Sequence, residues 1–163
     1  MTEDPSHTAL ALPSERDTAR FGAALAALLA PGDTVLLRGP LGAGKSVLAR
    51  AVIRALMDDP EAEIPSPSYT LVNIYETPRG AVWHADLYRL SGEVDEIEEL
   101  GLGEAMGTAL VLVEWPERLG AALPARRIEV QMTAGTRPDE RHAEVMLVGP
   151  DWEAVARMLA KWT

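Results

Sequence analysis

Apolar and polar positions along the chain fall into blocks with two different periods. Ser14 to Ala30 places Phe21, Leu25, Leu28 and Leu29 on one helical stripe, with Ser14 as N-cap and Pro31-Gly32 as the stop. Thr34 to Arg38 is a short run of β-branched residues and Leu, the pattern of a buried strand. A glycine-rich turn, Gly39 to Gly44, separates it from a helix over Lys45 to Asp58. The apolar stripe of that helix is Val47, Leu48, Ala51, Val52, Ala55 and Leu56. Pro60, Pro65 and Pro67 make the next stretch a loop. Tyr69 to Tyr75 and Ala81 to Asp86 predict two strands around a Thr77-Pro78-Arg79-Gly80 turn. Glu93 to Glu99 predicts a short acidic helix. Ala109 to Val113 is the purest apolar run, ends at Glu114, and predicts a central parallel strand. Arg127 to Thr133 and Arg141 to Val148 predict strands around a Gly135 to Glu140 turn. Asp151 is expected to cap a last helix with Trp152, Val155, Met158, Leu159 and Trp162 inward. Strands and helices interleave, which predicts an α/β fold: an open, mainly parallel sheet with helices on both faces and a local antiparallel hairpin.

Composition narrows the function. A length of 163 residues suits one domain, spanning 1–163. There is no Cys, so disulfides and thiolate chemistry are excluded. Met1 to Asp17 is polar and acidic, unlike a signal peptide, and the apolar run Ala23 to Ala30 is too short to span a bilayer. A cytoplasmic protein without membrane contact is expected. The net charge of -10 argues against a free-standing nucleic-acid binder, which carries a basic face. It does not argue against ATP, whose phosphates backbone amides can hold. The acidity is concentrated: between Leu90 and Glu117 lie eight acids and no Lys or Arg. That segment is either a solvated face or a dock for a basic surface on a protein partner. Only Lys45 and Lys161 are Lys.

Gly39-Pro40-Leu41-Gly42-Ala43-Gly44-Lys45-Ser46 matches G-x-x-x-x-G-K-[ST], the phosphate-binding loop. Glycines let backbone N–H groups turn inward around a phosphate, and the following helix presents its positive end to the same anion. Lys45 can bridge the β- and γ-phosphates, and the Ser46 hydroxyl can ligand Mg²⁺. The fold predicted is thus a P-loop NTPase. Such a site needs an acid at a neighbouring strand end, and Glu114 and Asp86 both qualify. His84 precedes Asp86 by two and could share its face, as a structural or a catalytic group. The hydroxyl-rich loop Ser66-Pro67-Ser68-Tyr69-Thr70 reads as a γ-phosphate switch or as a Pro-stiffened lead-in to a strand. Trp115 either covers the nucleotide site or is a partly buried core aromatic. No N-K-x-D element for guanine occurs; the only Asn is Asn73. These residues leave open an ATP hydrolase, a small-molecule kinase and a nucleotide-switched binding module.

The phosphate loop resembles that of the bacterial tRNA threonylcarbamoyladenosine (t6A) biosynthesis ATPase family (TsaE). So do Ser66-Pro67-Ser68-Tyr69-Thr70-Leu71-Val72, His84-Ala85-Asp86-Leu87-Tyr88-Arg89-Leu90, Glu98-Glu99-Leu100-Gly101 and Leu112-Val113-Glu114-Trp115-Pro116-Glu117. The resemblance covers about Leu12 to Val148. It implies a Mg²⁺-dependent ATPase supporting t6A formation at A37 of tRNAs that read codons beginning with A. It also implies two partners, the threonylcarbamoyl-transferase catalytic subunit and its paralogous dimerisation partner, with tRNA reached only through that complex. Ser46 and Glu114 would be Mg²⁺ ligands, and Lys45, Asp86 and Glu114 the catalytic set. Asp86 would serve as base or position water. The nucleotide would be held by Gly39 to Val47 and Trp115, with Glu15 and Thr18 near the adenine and Arg141 approaching from the last strand. Departures from the family pattern are Pro40 for Asp, Ser46 and Ser68 for Thr, Ala85 for Phe and Ile74 for an acid; Lys45, Asp86 and Glu114 are untouched.

Overall fold

A computed structural model describes residues 6–91 and 93–162. Seven strands form one sheet in the order β1-β7-β6-β2-β5-β4-β3. They are β1 (Ser6–Leu12), β2 (Thr34–Arg38), β3 (Val72–Thr77), β4 (Gly80–Asp86), β5 (Leu110–Glu114), β6 (Arg127–Ala134) and β7 (Arg141–Val148). The centre, β6-β2-β5-β4, is parallel, while β3, β7 and β1 pair antiparallel at the two margins. The antiparallel part is therefore larger than one hairpin.

Alternation along the central strands sorts side chains to two faces. Val35, Leu37, Leu110 and Leu112 pack with α1 (Glu15–Ala26), α2 (Lys45–Met57) and α5 (Glu153–Ala160). Leu36, Val111 and Val113 pack with α3 (Val94–Leu100), α4 (Leu102–Ala105) and a 3₁₀ turn over Pro116–Ala122. Both faces of the centre are thus covered, as the continuous apolar runs of β2 and β5 require. α1 lies so close to α2 that a Cβ on Gly22 would stand 2.7 Å from the Ala51 Cβ. That approach carries the start of α1 to the phosphate loop.

Several boundaries differ from the sequence reading. β1 had no counterpart there; Leu10 and Leu12 face the core while Ala9 and Ala11 are exposed, and the strand pairs with β7. Met1 to Pro5 lie outside the described residues. Ser14 does cap α1, its hydroxyl accepting from the Asp17 N–H at 3.2 Å. The helix ends at Ala26 and leaves Leu28 exposed, because Arg79 takes the Ala26 and Leu29 carbonyls. In α2 Ala49 and Ile53 join the buried stripe, whereas Ala55 is exposed. Tyr69 and Thr70 belong to a turn, and β3 begins after Leu71, which has φ 69°. Asp151 is not the cap of α5. It has φ 67° and stands before the true N-cap, Trp152, its carbonyl accepting from Arg126.

Candidate functional site

The parallel strands β2, β4 and β5 end side by side, at the edge where open α/β sheets bind ligands. β2 runs into the glycine-rich loop. Gly39, Gly42 and Gly44 have φ of 141°, 78° and 99°, a conformation open to glycine and costly for other residues. A Cβ on Gly39 would also lie 2.4 Å from the Met132 carbonyl oxygen. Gly44 is the N-cap of α2, so that helix points its positive end at the loop.

A cleft of about 330 Å³ is lined by Leu41 to Val47 together with Ser68, Asp86, Glu114, Trp115 and Arg141. Of the loop, Gly39 and Pro40 do not line it; Gly39 stands behind, its carbonyl accepting from Lys45 Nζ. Lys45 is only 5% exposed, and its ammonium sits 3.4 Å from the centre of the Trp115 ring. Burial lowers its pKa below the ordinary 10.5, and the charges of Glu114, Glu117 and Asp86 pull it back up.

Asp86 and Glu114 are register partners at the ends of β4 and β5. Glu114 is buried, and its Oε1 accepts from the Ser46 hydroxyl at 2.9 Å. The Oε2 of the same carboxylate lies 2.7 Å from His84 Nε2. Asp86 is held by the Tyr88 N–H at 3.0 Å and the Ser68 hydroxyl at 3.4 Å. Arg89 in turn donates to the Ser68 carbonyl. The hydroxyl-rich loop is thereby tied to the strand bearing Asp86.

Trp115 has φ 61°, and this left-handed turn swings its ring back over Lys45 and against Tyr88, centroids 4.8 Å apart. It is half-buried, at once a wall of the cleft and packed against the core cluster beneath β5. Arg141, at the start of β7, leans over the loop, with its Nε 3.1 Å from where a Gly44 Cβ would stand. Its Nη1 donates to the Pro138 and Glu140 carbonyls, but its Nε is buried with no protein partner among the described residues. Glu15 and Thr18, on the first turns of α1, meet Gly44, Val47, Asp139 and Arg141 in a smaller pocket beside the cleft.

The structure therefore gathers Lys45, Ser46, Asp86, Glu114, Trp115 and Arg141 around one cleft, with Glu15 and Thr18 adjoining it. Ser68, Tyr88 and Asp139 were absent from the expected set. Ser68 and Tyr88 had signals, the hydroxyl-rich loop and the Asp86-Leu87-Tyr88-Arg89 run; Asp139 had none, because its place comes from the β6–β7 turn. The donors suit a magnesium nucleotide: an orphaned Arg141 nitrogen and Lys45 for phosphate, and the oxygens of Ser46, Glu114 and Asp86 for a hard cation.

The family model for the threonylcarbamoyl adenosine biosynthesis protein TsaE matches residues 12–143. This chain belongs to the TsaE family. Curated TsaE relatives agree over most of its length. One from Rickettsia bellii is 42% identical over 121 residues, covering 74% of this chain and 83% of the relative. One from Mycobacterium tuberculosis is 36% identical over 140 residues, covering 81% and 82%. Both bear the name tRNA threonylcarbamoyladenosine biosynthesis protein TsaE. The crystal structure of YdiB from Bacillus subtilis superposes with a TM-score of 0.76 at 24% identity, covering 98% of each chain, which supports the fold. The TsaE match takes in the phosphate loop, both strand-end acids and Arg141. Among the described residues of this TsaE member, no helix is long and apolar enough to cross a membrane.

Proposed function

We propose that this chain is the Mg²⁺-dependent ATPase of t6A formation at A37 of tRNA. It works with the threonylcarbamoyl-transferase catalytic subunit and its paralogous dimerisation partner. The observation that carries the reading is the meeting of a phosphate loop with two in-register carboxylates, one of them on the loop's own serine. The names borne by the relatives supply the pathway.

Lys45, the loop amides and Arg141 would hold the phosphates, and Glu15 and Thr18 the nucleoside end. Ser46 and Glu114 would hold Mg²⁺, which when bound neutralises charge developing on the phosphate oxygens. Asp86 would hold the attacking water in line with the γ-phosphorus. Water oxygen would bond to that phosphorus as the bond to the bridging oxygen breaks, one water proton would be given up to solvent, and ADP would leave with phosphate. The net charge of -10 leaves tRNA contact to the partner complex.

Slow ATP hydrolysis by the purified chain, raised by the two partners, is the expected result. Asp86→Ala should keep ATP binding and lose hydrolysis together with t6A synthesis; hydrolysis lost with t6A synthesis intact would overturn the ATPase reading. Phosphate transfer to a metabolite, with no capture of the partners in the presence of ATP, would point to a kinase instead.

A further inference from the structure

His84 lies deeper than the cleft. It is 1% exposed, on the face of β4 that also carries Asp86 and that packs beneath α2. Its Nε2 is 2.7 Å from Glu114 Oε2, and Glu114 is itself 2% exposed. A carboxylate removed from water needs donors on both oxygens. Glu114 has two, and they differ in kind. Ser46 approaches Oε1 from the first turn of α2, and its oxygen is also the one the phosphate-loop motif assigns to the metal. His84 approaches Oε2 from the neighbouring strand and does not line the cleft. The ring Nδ1 has no partner among the described residues, so the ring proton belongs on Nε2, the nitrogen that faces an acceptor.

We infer that His84 is a positioning residue for the metal site, an inference that rests on the Mg²⁺-dependent reading above. Its Nε2–H grips Oε2 and fixes the plane of the carboxylate. Oε1 is thereby aimed at the side of the site where Ser46 presents its hydroxyl. When Ser46 turns its oxygen to a cation, the His84 bond is the one that keeps Glu114 in place. Groups that hold a ligating side chain from behind set metal affinity, typically by ten- to a hundredfold. The inference predicts a metal effect without a nucleotide effect.

The test compares two amides that differ in reach. In His84→Gln the side-chain nitrogen stands near the place of Nε2; in His84→Asn it stands near that of Nδ1. Mn²⁺, as an EPR-visible stand-in for Mg²⁺, is titrated into ADP-loaded wild type and both variants. His84→Asn should weaken Mn²⁺ binding by about tenfold, with ADP affinity in the absence of metal unchanged. His84→Gln should recover most of the loss. Equal Mn²⁺ affinity in wild type and His84→Asn, or equal loss in both variants, overturns the positioning role. The ¹⁵N spectrum of the wild-type imidazole gives a check independent of variant folding: the proton must be on Nε2, and an Nδ1–H tautomer overturns the inference. Wild type that binds ADP but takes up no Mn²⁺ would bring down the metal-dependent reading and this inference together. Wild type that binds Mn²⁺ as tightly as His84→Asn would bring down only the role of His84.

Discussion

At Lys45 one ammonium meets opposing demands. Burial disfavours its charge, and three nearby carboxylates partly restore it, leaving the pKa below the ordinary 10.5. As pH rises through that lowered pKa, the folded chain gives up a proton that the unfolded chain keeps up to its ordinary value. Stability without nucleotide should therefore rise across that interval. A bound phosphate favours the charged form, so nucleotide affinity should fall over the same interval. Calorimetric titration of ADP at increasing pH should show weakening that begins below the usual lysine range. Lys45→Met should bind weakly throughout, without that trend. Lys45 was legible in the sequence because its loop is local: glycines, lysine and serine stand at fixed offsets between a strand and a helix. Arg141 was reachable only through family resemblance, since its place over Gly44 follows from strand pairing far along the chain.

Among the elements, the interiors were more legible than most of the ends. β2 and β7 match their predicted spans because each holds a continuous apolar run, Val35 to Leu37 and Val145 to Val148, bounded by polar residues or a turn. α1 stops short of Pro31 for a reason no local pattern carries. The guanidinium of Arg79, from the β3–β4 turn, caps the Ala26 and Leu29 carbonyls. Arg79→Ala should therefore destabilise the chain by about 1 kcal/mol in urea denaturation, with ATP hydrolysis unchanged. β1 escaped notice because its alternation is short and sits in a polar stretch; its partner, β7, lies at the other end of the sequence. It nevertheless contributes Leu12, which is fully buried in the larger core cluster. Leu12→Ala should cost about 2–5 kcal/mol, read as a lowered denaturation midpoint. Loss of less than 1 kcal/mol would mean that β1 is dispensable to that core.

For the whole molecule, the α/β class followed from the interleaving of strands and helices. The extent of antiparallel pairing did not, because pairing partners are chosen across the whole chain. Charge also looks different once folded. Of the acids on α3, Glu96 accepts from the Ser91 N–H and hydroxyl, whereas Glu98 and Glu99 are exposed. If this face steers a basic partner, Glu98→Lys with Glu99→Lys should slow association with the transferase pair and flatten its salt dependence. An unchanged association rate in stopped-flow mixing would sink that idea. The cleft and the pocket adjoining it draw on α1, the phosphate loop, the ends of β4 and β5, and the start of β7. Its parts therefore meet only when nearly all of the described chain has folded. Under the proposed function, nucleotide binding would act as a clamp on global folding: at a concentration one hundred times its Kd, a ligand specific to the folded state adds about 2.7 kcal/mol. Cellular ATP would thus help to set how much of this protein survives unfolding and proteolysis, apart from any turnover.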